Sequence, residues 1–254
     1  MNKPFERELA VFADGKQIGQ GCRIRLTGSE MLSLQPGFFL LSIWELSAVS
    51  IGWLNEPKQI EVRSGSSVLG SGDICDVHTF IRQRKQVTEV GFSPGMGLWE
   101  SRVSFSLEAG KTVSESILAL LEASGTGIGL AGFTGKEKCF SRPQAFYGRT
   151  VPALEKLAGA AEASAWLSPA GVIVSGKDDR NATVLLTEAE LVSAPTQAKD
   201  RVILRTRMIG WPGGAYARYR WQGLEGEGRI LFRMVEADNS EGNWKSELVI
   251  QDGD

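Results

Sequence analysis

Apolar residues recur along this chain with two periods, and the places where the period changes divide it into three. In residues 7–26, "RELAVFADGKQIGQGCRIRL", apolar and polar positions alternate on either side of Asp14-Gly15. Alternation lays one face of an extended chain on a core, and an Asp-Gly pair accepts the positive φ of a two-residue turn, so two paired strands are predicted. "FFLLSIWEL", "KQIEVRSG" and "SVLGSGDICDVHTFIRQRKQVTEVGFS" follow, each rich in strand formers and broken by Gly, Ser or Asn-Glu-Pro. Residues 1–109 are read as a first β-barrel-like domain of five to seven strands.

The period then lengthens. In "KTVSESILALLEASG", Val113, Ile117, Leu120 and Leu121 fall on one helical stripe, Thr112 and Glu115 have capping-box spacing, and Gly125 is placed to end the helix. A second helix is predicted with Thr150 as cap, Pro152 in the first turn, and Leu154, Leu157, Ala158 and Ala161 on its apolar stripe. "SAWLSPAGVIVSG" then reads as a hairpin turning at Ser168-Pro169-Ala170-Gly171. Residues 110–176 are therefore a small α/β domain with two helices.

After a polar stretch from Asp178, "RVILRTRMI", "AYARYRWQG" and "EGRILFRMVEA" return to strand character. The closing stretch, "EADNSEGNWKSELVIQ" (236–251), places Trp244, Ser246, Leu248 and Ile250 on one side and Lys245, Glu247, Val249 and Gln251 on the other. A final strand is expected there, anchored by a buried Trp244, with the acidic loop 236–242 in solvent. Residues 177–254 are read as a second β-barrel-like domain. The expected fold class is mainly β with an α+β insertion: two barrel-like β domains flanking a small two-helix α/β domain.

Composition narrows the function. Apolar residues make up 42% and charged ones 23%, and 30 glycines favour a turn-rich chain. A net charge of −2 supplies no field for a phosphate backbone, so specific nucleic-acid binding is not expected. Cys22, Cys75 and Cys139 are odd in number and scattered, which suits a reducing compartment rather than a disulfide framework. "MNKPFERELAVF" has no secretory pattern, and "GFFLLSIW" (37–44) is far short of the roughly 20 apolar residues that span a bilayer. A cytoplasmic protein without a membrane anchor is expected.

Candidate chemistry is sparse. His78 is the one histidine, so any Ser-His-Asp or Cys-His mechanism must use it; alternation places Asp76 on its face and Cys75 on the other. No Gly-x-Ser-x-Gly elbow occurs, and Cys75 with His78 lacks a second ligand pair for zinc. "GTGIGLAG" (125–132) closes a helix instead of opening one, the wrong order for a phosphate cradle. "DNSEGN" (238–243) lacks the calcium-loop spacing, and the dispersed carboxylates define no glycosidase pair. Trp44, Trp53, Trp99, Trp166, Trp211, Trp221 and Trp244 read as core pillars, or else as a sugar-binding platform; in "RYRW" (218–221), Arg218 and Arg220 share an exposed face. No catalytic, cofactor-binding or metal-binding residue is assigned. Alongside a structural role stand a β-rich carbohydrate or cell-surface binding module and a hydrolase centred on His78.

The order of pieces carries more than any one motif. "LSIWELS" (41–47), "IEVRSG" (60–65) and "VLGSGDI" (68–74) precede the first helix, and "GRTVPALEKLAGAAEASAWLSPAGVIV" and "ADNSEGNWKSELVI" follow it. This order resembles the baseplate hub proteins of bacteriophage tails and phage-derived tail-like particles, the family of the late control D proteins and Mu-like hubs. Ile43, Leu46 and Ser47 match a strand-end phrase of that family, with Glu45 where Asn is usual. Trp166, Gly171 and Val172 match a second phrase, and Asp238, Gly242, Asn243 and Trp244 match the closing one. The resemblance covers most of the chain, with 75–108 and 177–200 outside the correspondence. It implies a non-enzymatic homotrimer whose six β domains ring a pore. Such a ring would join the six-fold tail tube, or a distal tail protein, to a three-fold central spike, and would meet the tape-measure protein. It also implies assembly in the bacterial cytoplasm and residence at the virion tail tip.

Overall fold

A computed structural model of the chain describes residues 7–56, 59–176, 179–180, 183–207, 216–240 and 243–252. Trp211, Gly242, the first six residues and parts of the polar stretch after 176, all singled out above, lie outside them. The described residues fall into two compact units, one drawn from Met1–Glu30, Gly37–Pro94 and Ala182–Asp254, the other from Met31–Pro36 and Gly95–Asn181. The fold is mainly β, as the alternation implies.

The chain opens with β1 (Ala10–Ala13) and β2 (Lys16–Ile18), paired around Asp14 and Gly15 at φ 46° and 77°. Positive φ at both central residues is what a two-residue hairpin turn needs. β3 (Ile24–Met31), β4 (Phe38–Trp44), β5 (Gln59–Ser64), β6 (Ser67–Arg82) and β7 (Lys85–Ser93) complete seven strands, ordered β3-β4-β7-β6-β5-β1-β2. A short helix unforeseen in the sequence, α1 (Ala48–Leu54), joins β4 to β5; Ser47 caps it by accepting from the Ser50 amide. Its seven residues are too few to impose a helical period on the pattern.

The smaller unit begins with a second unforeseen helix, α2 (Met96–Glu100), followed by β8 (Arg102–Leu107), α3 (Val113–Ser124), β9 (Leu130–Phe133), β10 (Gln144–Arg149), α4 (Thr150–Ala160), β11 (Ala163–Ser168) and β12 (Gly171–Gly176). β8 pairs with β10, while β11 and β12 form the expected hairpin with β9 parallel to β12. Ile117, Leu120, Leu154, Leu157 and Val172 meet in its core. α3 has its full capping box, Thr112 with Glu115, and ends at Gly125 in the left-handed region. Thr150, expected to cap α4, instead lies inside the helix, buried, with its hydroxyl accepting from Ser101 Oγ at 2.6 Å. Arg149 occupies the cap position without a side-chain bond. A hydroxyl engaged with Ser101 has left the helix's first amides to other partners.

The last part of the chain supplies β13 (Thr183–Leu186), β14 (Thr196–Ala198), β15 (Arg201–Thr206), β16 (Tyr216–Trp221), β17 (Leu224–Asp238) and β18 (Trp244–Asp252). β13 lies parallel to β16, and the remaining pairs in this stretch are antiparallel. β17 also bonds to β3, which makes one thirteen-stranded sheet of the large unit's described strands.

Candidate assembly surface

β17 is long enough to serve two cores. Midway along it, Ile230 packs with Val202, Leu204, Leu248 and Ile250; near its end, Val235 and Ala237 pack with Leu26, Leu41 and Phe39 of the N-terminal strands. A register shift between Ile230 and Phe232 separates the two stretches. An extra residue there bends the strand and increases its twist, which lets one strand leave one core and enter another.

Arg233 lies just beyond that bend and is 1% exposed. Its guanidinium pairs with Glu30 at 2.7 Å and donates to the carbonyl of Leu69. Burial pushes the Glu30 carboxyl above its ordinary value while Arg233 pulls it down, and the same burial lowers Arg233. Charges this deep are tolerated because each is the other's partner.

The end of β17 is fastened to the start of β3. Asp238, 5% exposed at its side chain, accepts from Arg23 at 2.7 Å, and Glu236 takes Arg25 at 3.1 Å. Asn239 Oδ1 accepts from the Ile24 amide and its Nδ2 donates to the Cys22 carbonyl. The stretch 236–242, expected in solvent, therefore begins as strand and anchors through Asp238 and Asn239. The composition of a turn did not reveal that its polar groups would be consumed by a strand more than two hundred residues away. Trp244, expected as a buried anchor, is half-buried against the N-terminal core, while Ser246, Leu248 and Ile250 are buried as the alternation predicts.

The outward face of the N-terminal strands carries a polar row in register: Arg25 opposite Ser42, Ser42 opposite Glu89, Glu89 opposite His78. Arg23 lies 4.7 Å from the centre of the Trp44 ring, a cation–π contact next to its ion pair. His78 and Asp76 share this face as expected, 2.7 Å apart, with side chains 73% and 59% exposed. Arg218 and Arg220 are exposed together and pair across the strand with Glu227 and Glu225. Gly125–Gly132 closes α3 and leads into β9. None of the six described tryptophans is exposed: Trp166 is buried, and Trp44, Trp53, Trp99, Trp221 and Trp244 are half-buried. Among the described residues no cluster of three or more His, Cys, Asp or Glu could hold a metal, and no helix is long and apolar enough to cross a membrane.

Sequence reasoning missed Arg233, Glu30 and Asn239. The one available signal was a lone Arg inside the apolar-rich run "ILFRMVEA", which alternation would put on the core side with Val235.

No known family model and no curated protein matches the chain. Solved structures do. A tail protein from Neisseria meningitidis MC58 superposes with a TM-score of 0.67 at 11% identity, covering 96% of this chain and 95% of that one. The 43 kDa tail protein of prophage MuSo2 from Shewanella oneidensis gives 0.68 at 11% identity over 96% and 97%. The E. coli c3393 protein, a type VI secretion component described as structurally similar to T4 bacteriophage tail proteins gp27 and gp5, gives 0.64 at 12% identity over 96% and 77%. The chain has the fold of these phage tail proteins along almost its whole length.

Proposed function

We propose that this chain is a non-enzymatic structural component of a phage tail or tail-like particle. In it, a homotrimer of the chain forms a baseplate hub that joins the tail tube, or a distal tail protein, to a central spike. The observation that carries this reading is the superposition on phage tail proteins over 96% of this chain. The barrel-like regions 1–109 and 177–254 would act as two related bricks per protomer, so that three protomers offer six places around a pore, with 110–176 as the insertion between them. Partners would be protein surfaces of the tube, the spike and the tape-measure end. The protein would assemble in the bacterial cytoplasm and reside at the tail tip.

A ring of this kind works through its surfaces, in keeping with the cross-strand ion pairs of Arg218 with Glu227 and Arg220 with Glu225 on an outward face. Light scattering after size-exclusion chromatography, with negative-stain imaging, tests the reading. The expected result is a species of three protomers with a central hole, formed alone or with the tube protein. A monomer that never forms a ring, alone or with tube or spike protein, would refute it.

A further inference from the structure

The two-stranded sheet of the smaller unit has two unlike faces. Among the described strands β8 and β10 pair only with each other, from Arg102 opposite Arg149 to Leu107 opposite Gln144. One face is core: Val103 and Phe146 are buried, Leu107 packs beside them, and the Phe105 and Phe146 rings stack at 5.2 Å. The other face carries Arg102, Ser104 and Ser106 of β8 with Ala145, Tyr147 and Arg149 of β10, all of them exposed. Small side chains thus make a level floor beside one ring and two guanidinium groups. Tyr147 is 92% exposed, more than any other large apolar side chain among the described residues.

The charges on this face are unmatched. Elsewhere Arg205, Arg218 and Arg220 stand opposite Glu247, Glu227 and Glu225 and pair with them. Arg102 and Arg149 stand opposite each other, and no described carboxylate lies within ion-pair distance of either, Glu100 and Glu108 beside the ends of β8 included. Like charges directly opposed in an antiparallel pair, with Cβ atoms about 5 Å apart, are destabilising. A carboxylate brought from outside removes that repulsion and accepts charge-assisted hydrogen bonds from the guanidinium forks.

We infer that this face docks an acidic protein surface, whose carboxylates are taken by Arg102 and Arg149 while Tyr147 packs against the apolar ground beside them. Tyr and Arg are among the side chains that most often anchor protein interfaces. The floor is rigid, because its other side is fixed in the core, so ordering it on binding costs little. A phosphate backbone is the poorer occupant, since two cations on a chain of net charge −2 offer it little field. The inference rests on the hub reading and gives that hub a surface for an acidic patch of the tube or spike protein.

Affinities of the full-length protein for the purified tube and spike proteins of its particle test this, with Arg102→Glu and Tyr147→Ala measured beside the wild type. Arg102→Glu sets a carboxylate opposite Arg149, the arrangement seen at Arg218 and Glu227, so its melting midpoint should hold or rise. Its Kd for one of the two proteins should nevertheless weaken by about tenfold or more. Tyr147→Ala should melt like the wild type and weaken the same complex. Unchanged affinity of either variant for both proteins overturns the assignment and leaves the hub intact. A melting midpoint of Arg102→Glu well below the wild type removes the premise that the pair is strained and overturns it too. Loss of ring formation in Arg102→Glu would give the face to a second copy, and binding of a single-stranded oligonucleotide that this variant abolishes would give it to nucleic acid; each result overturns the inference. A wild-type protein that binds neither tube nor spike sinks the hub reading with it.

Discussion

The two cores of the large unit differ in where their residues come from. The core containing Val202, Leu204, Leu248 and Ile250 is drawn from the last third of the chain alone. The N-terminal core gathers Val11, Leu26, Phe39, Leu41, Val62 and Phe92 but also takes in Val235 and Ala237, with Trp244 packed against it. Dependence therefore runs one way. The C-terminal strands have what they need nearby, whereas the N-terminal strands wait for a segment about two hundred residues away. Loop closure over that distance costs conformational entropy before any contact compensates it, so the N-terminal core is expected to finish folding last.

Removing Arg233 should break this arrangement most severely. Arg233→Ala leaves Glu30 buried without its partner and should destabilise the large unit by about 3–5 kcal/mol, measured by urea denaturation. The double variant Glu30→Leu/Arg233→Met should recover most of that, since a buried pair replaced by well-packed apolar groups is often neutral. A single-variant loss below about 1 kcal/mol would show that the strand crossing does not depend on the pair.

Trp244 sharpens the comparison at lower cost. Because the ring is only half-buried, Trp244→Ala should cost about 2 kcal/mol, less than removal of a fully enclosed ring. The loss should fall on the N-terminal core: exchange protection at Leu41 and Val90 should drop while that at Leu204 and Leu248 holds. Equal loosening of both cores would contradict the one-way dependence.

How much of this could be read from the residues follows the same division. α3 was legible from Thr112, Glu115, Ile117 and Gly125 because every determinant lies within one short stretch. The hairpins at Asp14-Gly15 and at 168–171 were legible for the same reason. The closing strand's alternation was legible, but the role of the turn before it was not, because Asp238 and Asn239 are consumed by Arg23, Ile24 and Cys22. Periodicity reports which face of an element is apolar, and it does not report which distant strand will cover that face. Phe80 and Ile81 show the same limit from the other side: both are apolar strand formers in the sequence, and both are exposed in the fold.

The locally encoded helix provides the smallest effect and a control. Glu115 Oε2 accepts from the Thr112 amide at 2.9 Å, and that bond, aided by Lys111, holds the carboxyl below its ordinary value of 4.5. A depressed carboxylate contributes stability that is present above 4.5 and is lost as pH falls through the lower folded value. Gln at this position keeps the acceptor and removes the charge, so Glu115→Gln should lower the melting midpoint slightly at neutral pH. The gap to the wild-type protein should close as the solution is acidified below 4.5. Thermal melts from neutral to acid pH would read this directly. A gap independent of pH would mean that the charge contributes nothing and the box acts through its hydrogen bonds alone. A change in exchange at Leu41 or Leu204 in the same variant would mean that the helix is coupled to the β cores, which its local encoding argues against.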